Sequence, residues 1–154
     1  MLKKWMNESK KNQKGLTLVE LLAVVVILAI VAAIAFVLIG NVIENSKKDA
    51  HVANAQQIIS AAKMYDSTIG MENKKVTLQT LQSEEHGLIG TMQSPWKKNE
   101  YDSINNSEDV IVTKDGDEFT ISGFNVSEKC DMGNKTESEL NKEGRKVCIK
   151  KKEK

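Results

Sequence analysis

One uninterrupted apolar run, from Leu21 to Ile39, limits what this chain can fold into more than any other feature. Its 19 residues, at a helical rise of about 1.5 Å each, span about 28 Å, close to the roughly 30 Å hydrocarbon core of a bilayer. A helix on the surface of a soluble domain carries polar residues every three or four positions, and this run carries none. The sequence therefore predicts a membrane-spanning helix within residues 16–40.

The charges on the two sides of this run differ, and the difference predicts its orientation. Residues 1–15 contain five lysines and one acid, for a net charge of +4, whereas the charges that directly follow the run cancel. Positively charged flanks remain in the cytoplasm, so we expect a single-pass protein with its N-terminus inside. Residues 71–154 then form a globular head outside the cytoplasm.

Two ordinary interpretations of the N-terminus each leave something unexplained. A secretory signal cut after Ala35 fits the small residues of Ala33-Ile34-Ala35. However, four more apolar residues follow this site, where a signal peptide would be followed by polar residues. A single-pass anchor that carries an extracellular binding domain and does not polymerise explains the length of the run and the lysines. It gives no reason for the glycine at position 15 or for the acid Glu20. A lone carboxylate in a lipid-soluble segment is costly, so its presence needs a reason.

The stretch from Lys14 to Glu20, KGLTLVE, closely resembles the prepilin cleavage motif of type IV pilins and of type II secretion and competence pseudopilins. The resemblance implies that a prepilin peptidase cuts between Gly15 and Leu16, which makes residues 1–15 a leader peptide, and that the new amine of Leu16 is methylated. It also implies that Glu20 pairs with that amine in a neighbouring subunit, which sets the register of a helical filament. The chain departs from the family pattern in two ways. It has leucine where many members begin the mature chain with phenylalanine, and its helix lacks the proline that many members carry.

The same resemblance implies a structural subunit and not an enzyme, in a bacterial inner membrane before assembly and in a periplasmic or cell-surface filament afterwards. The implied partners are further copies of the chain, minor pilins, the prepilin peptidase, the pilus assembly membrane protein with its ATPase, and membrane lipid. The motif does not distinguish a filament for adhesion or motility from one for DNA uptake or protein secretion. No cofactor or metal is expected, because the two histidines, His51 and His86, are far apart and lack ligand spacing.

The predicted membrane helix continues into the segment that follows it. Apolar residues recur there at spacings of three and four from Ala55 to Ile69, with polar residues on the other face. Gly70 is a natural stop, so we predict an amphipathic continuation over residues 41–70 and one helix from 16 to 69. The helix cannot bury such a stripe by itself, and a sheet is therefore expected to pack on it.

The head carries signals for a short helix and an antiparallel sheet, so the predicted class is α+β, with the long helix packed on a small sheet. Thr77 caps a predicted short helix that ends at Gln82. Strands are predicted over Glu108–Lys114 and Glu118–Phe124, because β-branched and aromatic residues flank the turn Asp115-Gly116-Asp117.

The C-terminal part contains both cysteines and a basic end. Cys130 and Cys148 can pair outside a bacterial cytoplasm, and closing a loop of this size is worth roughly 3 kcal/mol in the chain-entropy model. Two unpaired thiols in a lightly packed tail are the alternative. A last strand is predicted over Arg145–Lys150, and residues 145–154 contain six basic residues and one acid. A contact between this basic end and DNA is therefore one interpretation, although basic chain ends are more often simply solvated.

Overall fold

The structure is a computed structural model of the 154-residue chain. It describes residues 2–97, 101–105, 107–126 and 129–149, with the side chains of the first helix described from Thr17 onward. The elements, in chain order, are helix α1 (Leu2–Thr68), strand β1 (Lys75–Thr77), helix α2 (Leu78–Gln82), strands β2 (Ile111–Asp115), β3 (Glu118–Ser122) and β4 (Lys135–Thr136), and helix α3 (Glu137–Glu143). This is the predicted α+β fold, and the chain forms two compact units, Met1–Ile43 and Glu44–Lys154.

Helix α1 begins well before residue 16, where it was predicted to begin. It ends at Thr68, one residue before the predicted end at residue 69. Its backbone is helical from Leu2, because no proline interrupts the leader segment. The helix ends at Thr68, and the N–H of Gly70 donates to the carbonyl of Tyr65 at 3.2 Å. Gly70 has a φ of 87°, which glycine adopts without steric cost, so the predicted stop is confirmed.

The first unit contains the apolar part of α1. Most of its large apolar side chains, among them Leu21, Val31 and Phe36, are more than half exposed in the single chain. Among the described residues, one helix is long and apolar enough to cross a membrane, and none of its most apolar stretch is buried. Such a surface needs lipid or other apolar helices around it, as a membrane-spanning helix does.

In the second unit, one face of α1 lies in the hydrophobic core. Its buried apolar residues include Val52, Ala55, Ile58, Ile59 and Ala62. The sheet contributes Val112 and Ile121 to the same core, and Tyr65 packs against it with part of its ring exposed. The predicted stripe is therefore confirmed as far as Tyr65. Ile69, which was predicted to belong to it, lies beyond the helix end and is 55% exposed.

The sheet is a four-stranded antiparallel meander in the order β1-β2-β3-β4. Strands β1 and β4 were not predicted, because strands of three and two residues are too short to show alternation. The short helix α2 is confirmed, and Oγ1 of Thr77 caps it by accepting the N–H of Thr80 at 3.2 Å.

The predicted hairpin is confirmed, but both of its strands are shorter than predicted. Asp115 pairs with Glu118 across a two-residue turn whose first residue, Gly116, has a φ of 60°. β3 ends before Gly123, which has a φ of 77° and approaches the backbone closely. A Cβ at Gly123 would lie 2.1 Å from the carbonyl oxygen of Asp109. The chain therefore stops pairing with β2 here. The predicted extension of β2 back to residue 108 and that of β3 on to residue 124 are both wrong.

The predicted strand over Arg145–Lys150 is also wrong. Thr136 and Glu139 form a reciprocal cap that begins α3, in which each backbone N–H donates to the side chain of the other residue. Helix α3 ends at Glu143, and a 3-10 turn over Gly144–Val147 follows it. Beyond that turn, Ile149 forms an isolated bridge with Asp131, and Lys150 lies outside the described residues.

Candidate functional site

The residues predicted for processing lie in the first unit, on α1. Gly15 and Leu16 are both within its helical backbone. Glu20 follows Leu16 by about 6 Å along the helix axis. Its side chain is exposed, and within the described part of this chain no hydrogen bond or ion pair reaches its carboxylate.

The apolar surroundings of Glu20 determine what this carboxylate needs. Its neighbours one turn further along α1, Ala23 and Val24, are apolar and exposed. A charged side chain at the centre of a membrane helix costs about 3 kcal/mol on insertion scales, and somewhat less near the interface. Burying the same charge among packed helices costs more unless it is paired. A partner for Glu20 in either setting has to come from outside the described part of this chain.

A disulfide joins Cys130 and Cys148 in the head, with the two Cα atoms 4.4 Å apart. Both residues are buried, and the bridge between Asp131 and Ile149 follows directly after them. The disulfide therefore fastens the C-terminal segment, at Cys148, to the segment between β3 and β4, at Cys130. In the part of the chain that the structure describes, no cluster of His, Cys, Asp and Glu side chains has an arrangement suited to a metal ion.

A buried histidine, predicted from the sequence only to be an unsuitable zinc ligand, lies on α1 within the second unit. His51 is 0% exposed, and apart from the tyrosine hydroxyl of Tyr101 it is the one fully buried side chain of polar character among the described residues. Its ring stacks on Phe124, with centroids 4.5 Å apart and an interplanar angle of 6°. The signal was present in the sequence, because His51 precedes Ala55 by four residues and so falls on the buried stripe of α1.

Two further aromatic rings contact His51, and we call the four rings of His51, Trp96, Tyr101 and Phe124 the aromatic box. The hydroxyl of Tyr101 and Nδ1 of His51 share a hydrogen bond. Trp96 meets the His51 ring edge-on at 5.5 Å, and its indole N–H donates to the carboxylate of Glu44 at 3.2 Å. The box therefore attaches the segment between α2 and β2 to helix α1.

Two lysines and one phenylalanine join α1 to the sheet and to α3. Lys63 donates to Glu137, and Lys114 donates to Asp66 at 2.6 Å. The two ammonium groups lie 5.5 and 5.8 Å from the centre of the Phe119 ring. The hydrogen bond from Lys114 holds the pKa of Asp66 below its usual value. Sequence patterns do not indicate these pairs, because the partners are far apart along the chain.

A surface groove lies between α1 and the segment that follows α2. Ala53, Gln57, Ser60 and Met64 line one side, and Leu88 to Gly90 lines the other. The residues described around it include no histidine, cysteine, lysine or acid, so it presents no general acid or base.

One family profile matches the chain. The profile of the prokaryotic N-terminal methylation motif matches residues 10–36, which include Gly15, Leu16, Glu20 and most of the apolar run. No curated protein and no solved structure shows significant similarity to the chain.

Together the exposed apolar helix and the matched motif fit a bacterial protein that is anchored in the inner membrane by a single pass. The matched motif is the signature of type IV pilins and pseudopilins, and this chain carries it.

Proposed function

We propose that this chain is a structural subunit that is cut by a prepilin peptidase between Gly15 and Leu16, methylated at Leu16 and assembled into a type IV pilus-like filament. The match of the N-terminal methylation motif to residues 10–36 is the observation that carries the proposal. The apolar side chains that α1 exposes support it, because a filament core or a bilayer supplies the contacts that they lack.

The proposed processing step changes the charge at the start of the helix. Removal of residues 1–15 takes away five lysines and one acid and leaves a single amine on Leu16. Glu20 then lies about 6 Å from the new N-terminus, where the helix dipole favours a carboxylate. The subunit can therefore remain in the bilayer until assembly begins.

The proposed assembly step gives Glu20 its partner. In a bundle of apolar helices, the amine of Leu16 on one subunit pairs with the Glu20 carboxylate of another. Breaking a buried ion pair by removing one partner costs about 3–5 kcal/mol, so a filament in the wrong register is disfavoured. The pair thereby specifies the axial offset between subunits, while the apolar surfaces supply most of the attraction.

The proposed organisation of the chain follows from these roles. Residues 1–15 are the leader, 16–40 the membrane and assembly helix, 41–70 its amphipathic continuation, and 71–154 the head outside the cytoplasm. The N-terminus is cytoplasmic, and the partners are the peptidase, an assembly membrane protein with its ATPase, lipid, minor pilins and further copies of the chain. The filament serves adhesion or motility, DNA uptake or protein secretion.

Mass spectrometry of the mature N-terminus, in cells with and without the prepilin peptidase, tests the processing step. We expect a methylated chain that starts at Leu16 and disappears when the peptidase is absent. Gly15→Val is expected to leave the leader attached in cells that contain the peptidase. An uncut chain in normal cells would favour a plain anchor with a binding domain, and a start at Phe36 would favour a secreted protein.

Substitution of the glutamate separates processing from assembly. Glu20→Gln is expected to give a chain that is cut and methylated normally but is missing from filaments sheared from the cells. Glu8→Gln is the matched control, because it neutralises an acid that leaves with the leader. Normal incorporation of Glu20→Gln into filaments would exclude the proposed pairing with Leu16.

A further inference from the structure

The aromatic box contains a histidine whose two ring nitrogens have very different surroundings. Nδ1 of His51 is hydrogen-bonded to the Tyr101 hydroxyl, whereas Nε2 is buried and has no well-formed hydrogen bond among the described residues, although the Phe124 backbone lies near enough to the ring to favour its protonation. The side-chain amide of Asn54 donates to the same Tyr101 oxygen at 3.4 Å. We assign the hydroxyl proton of Tyr101 to its bond with Nδ1, which places the proton of the neutral imidazole on Nε2.

Protonation of His51 conflicts with this arrangement in two ways. A proton on Nδ1 would require the Tyr101 hydroxyl to accept a hydrogen bond instead of donating one, so the proton of the hydroxyl would have to turn away from the histidine. The imidazolium charge would also lie between aromatic rings and away from water. The closed box is therefore specific for the neutral histidine.

We propose that the aromatic box is an acid-sensitive latch, in which protonation of His51 releases Trp96 and Tyr101 from helix α1. The inference is independent of the proposed cleavage and filament assembly, since the four rings all belong to the second unit. Trp96 and Tyr101 attach the segment between α2 and β2, so their release loosens that segment while the disulfide and the sheet remain.

The charged groups around the box offer the imidazolium little compensation. On α1, the carboxylate of Glu44 already accepts the Trp96 indole N–H, and Asp49 forms an ion pair with Arg145. Lys47 and Lys48, one turn before His51 on the same helix, add positive charge. Exposed Lys97 follows Trp96 in the neighbouring segment. From the segment after β3, His51 meets the Phe124 ring and backbone, and that backbone favours protonation.

The size of the effect follows from the difference between the two states of the histidine. Burial lowers the pKa of His51 to about 4 in the closed box, and the backbone of Phe124 opposes this shift. A released His51 returns to its ordinary pKa of 6.5. Between neutral pH and pH 4, the ratio of open to closed boxes therefore rises by about 100-fold.

Fluorescence of Trp96 in the full-length protein in detergent micelles tests the latch. Trp5→Phe leaves Trp96 as the sole tryptophan, because the chain contains two. On titration from pH 8 to pH 4, we expect the Trp96 emission to shift to longer wavelength as the indole becomes solvated. The far-ultraviolet circular dichroism is expected to remain unchanged over the same range, because the helices and the sheet persist.

Two variants identify the titrating group. His51→Phe keeps a ring on Phe124 and is expected to abolish the emission change, whereas His86→Gln, the matched control, is expected to keep it. His51→Gln replaces His51→Phe if the latter does not fold. An unchanged acid transition in the His51 variants, or loss of secondary structure together with the emission change, would overturn the latch. So would a His51 imidazole that titrates near 6.5 by proton NMR while Trp96 remains buried.

Discussion

Nζ of Lys63 donates to both carboxylate oxygens of Glu137, at 2.6 Å from Oε1 and 2.5 Å from Oε2. The two residues lie 74 positions apart, one on α1 and the other at the first position of α3. A carboxylate in the first turn of a helix is also favoured by the helix dipole. The pair therefore joins the long helix to the C-terminal helix and supports the start of the latter.

Replacing either partner is expected to weaken the head only modestly. The two side chains are 40% and 31% exposed, so water screens the pair and the coupling energy is limited to about 1 kcal/mol. We expect Lys63→Met and Glu137→Gln to destabilise the head by similar amounts, and the double variant to lose little more. Urea unfolding of the four chains in a double-mutant cycle measures this coupling.

Lys142→Met is the control for this cycle. Lys142 is exposed on the same α3 helix and has no hydrogen bond or ion pair within the described residues. It is expected to leave the free energy of unfolding unchanged within about 0.5 kcal/mol. Strictly additive effects of the Lys63 and Glu137 substitutions would show that the contact does not contribute to stability.

The disulfide is expected to contribute more than this ion pair. In the chain-entropy model, a loop of this length between Cys130 and Cys148 stabilises the folded head by roughly 3 kcal/mol. Cys130→Ala alone should therefore cost about as much as Cys130→Ala with Cys148→Ala, because either change removes the same bond. Urea midpoints measured with and without reductant give the comparison. A wild-type midpoint that does not respond to reductant would contradict this expectation.

Sequence patterns predicted the features of the fold that depend on neighbouring residues. The apolar run, the stop at Gly70 and the Asp-Gly hairpin turn each need only a short stretch of chain, and the structure contains all three. The cap of α3 was missed even though Thr136 and Glu139 have the spacing of a capping box, because the helix that follows has only seven residues.

The aromatic box could not be predicted, because it depends on residues that are distant in the sequence. His51 and Tyr101 are 50 positions apart, and Glu44 and Trp96 are 52 apart. Local propensity carries no information about which side chains meet when a long segment folds back on a helix. The predicted stripe began at Ala55, and extending it back by four residues would have shown that position 51 is covered. The side chains that cover His51 follow from tertiary packing alone.

Gly123 provides a sharp test of the strand end. In Gly123→Ala the new Cβ would lie 2.1 Å from the carbonyl oxygen of Asp109, and the residue must also keep a φ of 77°. Gly133→Ala is the matched control, because Gly133 has a φ of 59° and an open surrounding. A left-handed alanine costs about 1–2 kcal/mol, so we expect that loss at Gly133 and a clearly larger one at Gly123. Equal losses in thermal unfolding would show that the backbone contact is not tight.

Acid is expected to destabilise the head through His51, and the direction follows from its two pKa values. The folded pKa of about 4 lies below the ordinary 6.5, so the unfolded chain binds more protons in this interval. Stability is therefore complete above about pH 6.5 and falls as the pH drops, by up to about 3 kcal/mol near pH 4. Asp66, whose pKa is lowered by Lys114, loses its contribution only below its ordinary 3.8.

The histidine contribution can be isolated by measuring urea unfolding at several pH values between 7 and 4. We expect the wild-type free energy of unfolding to decrease across this interval and that of His51→Phe to be nearly flat, because phenylalanine does not titrate. His86→Gln should follow the wild type, since the His86 ring is partly exposed and contacts Tyr65 edge-on at 5.1 Å. If His51→Phe instead retained the wild-type slope, another group would be responsible for the acid sensitivity.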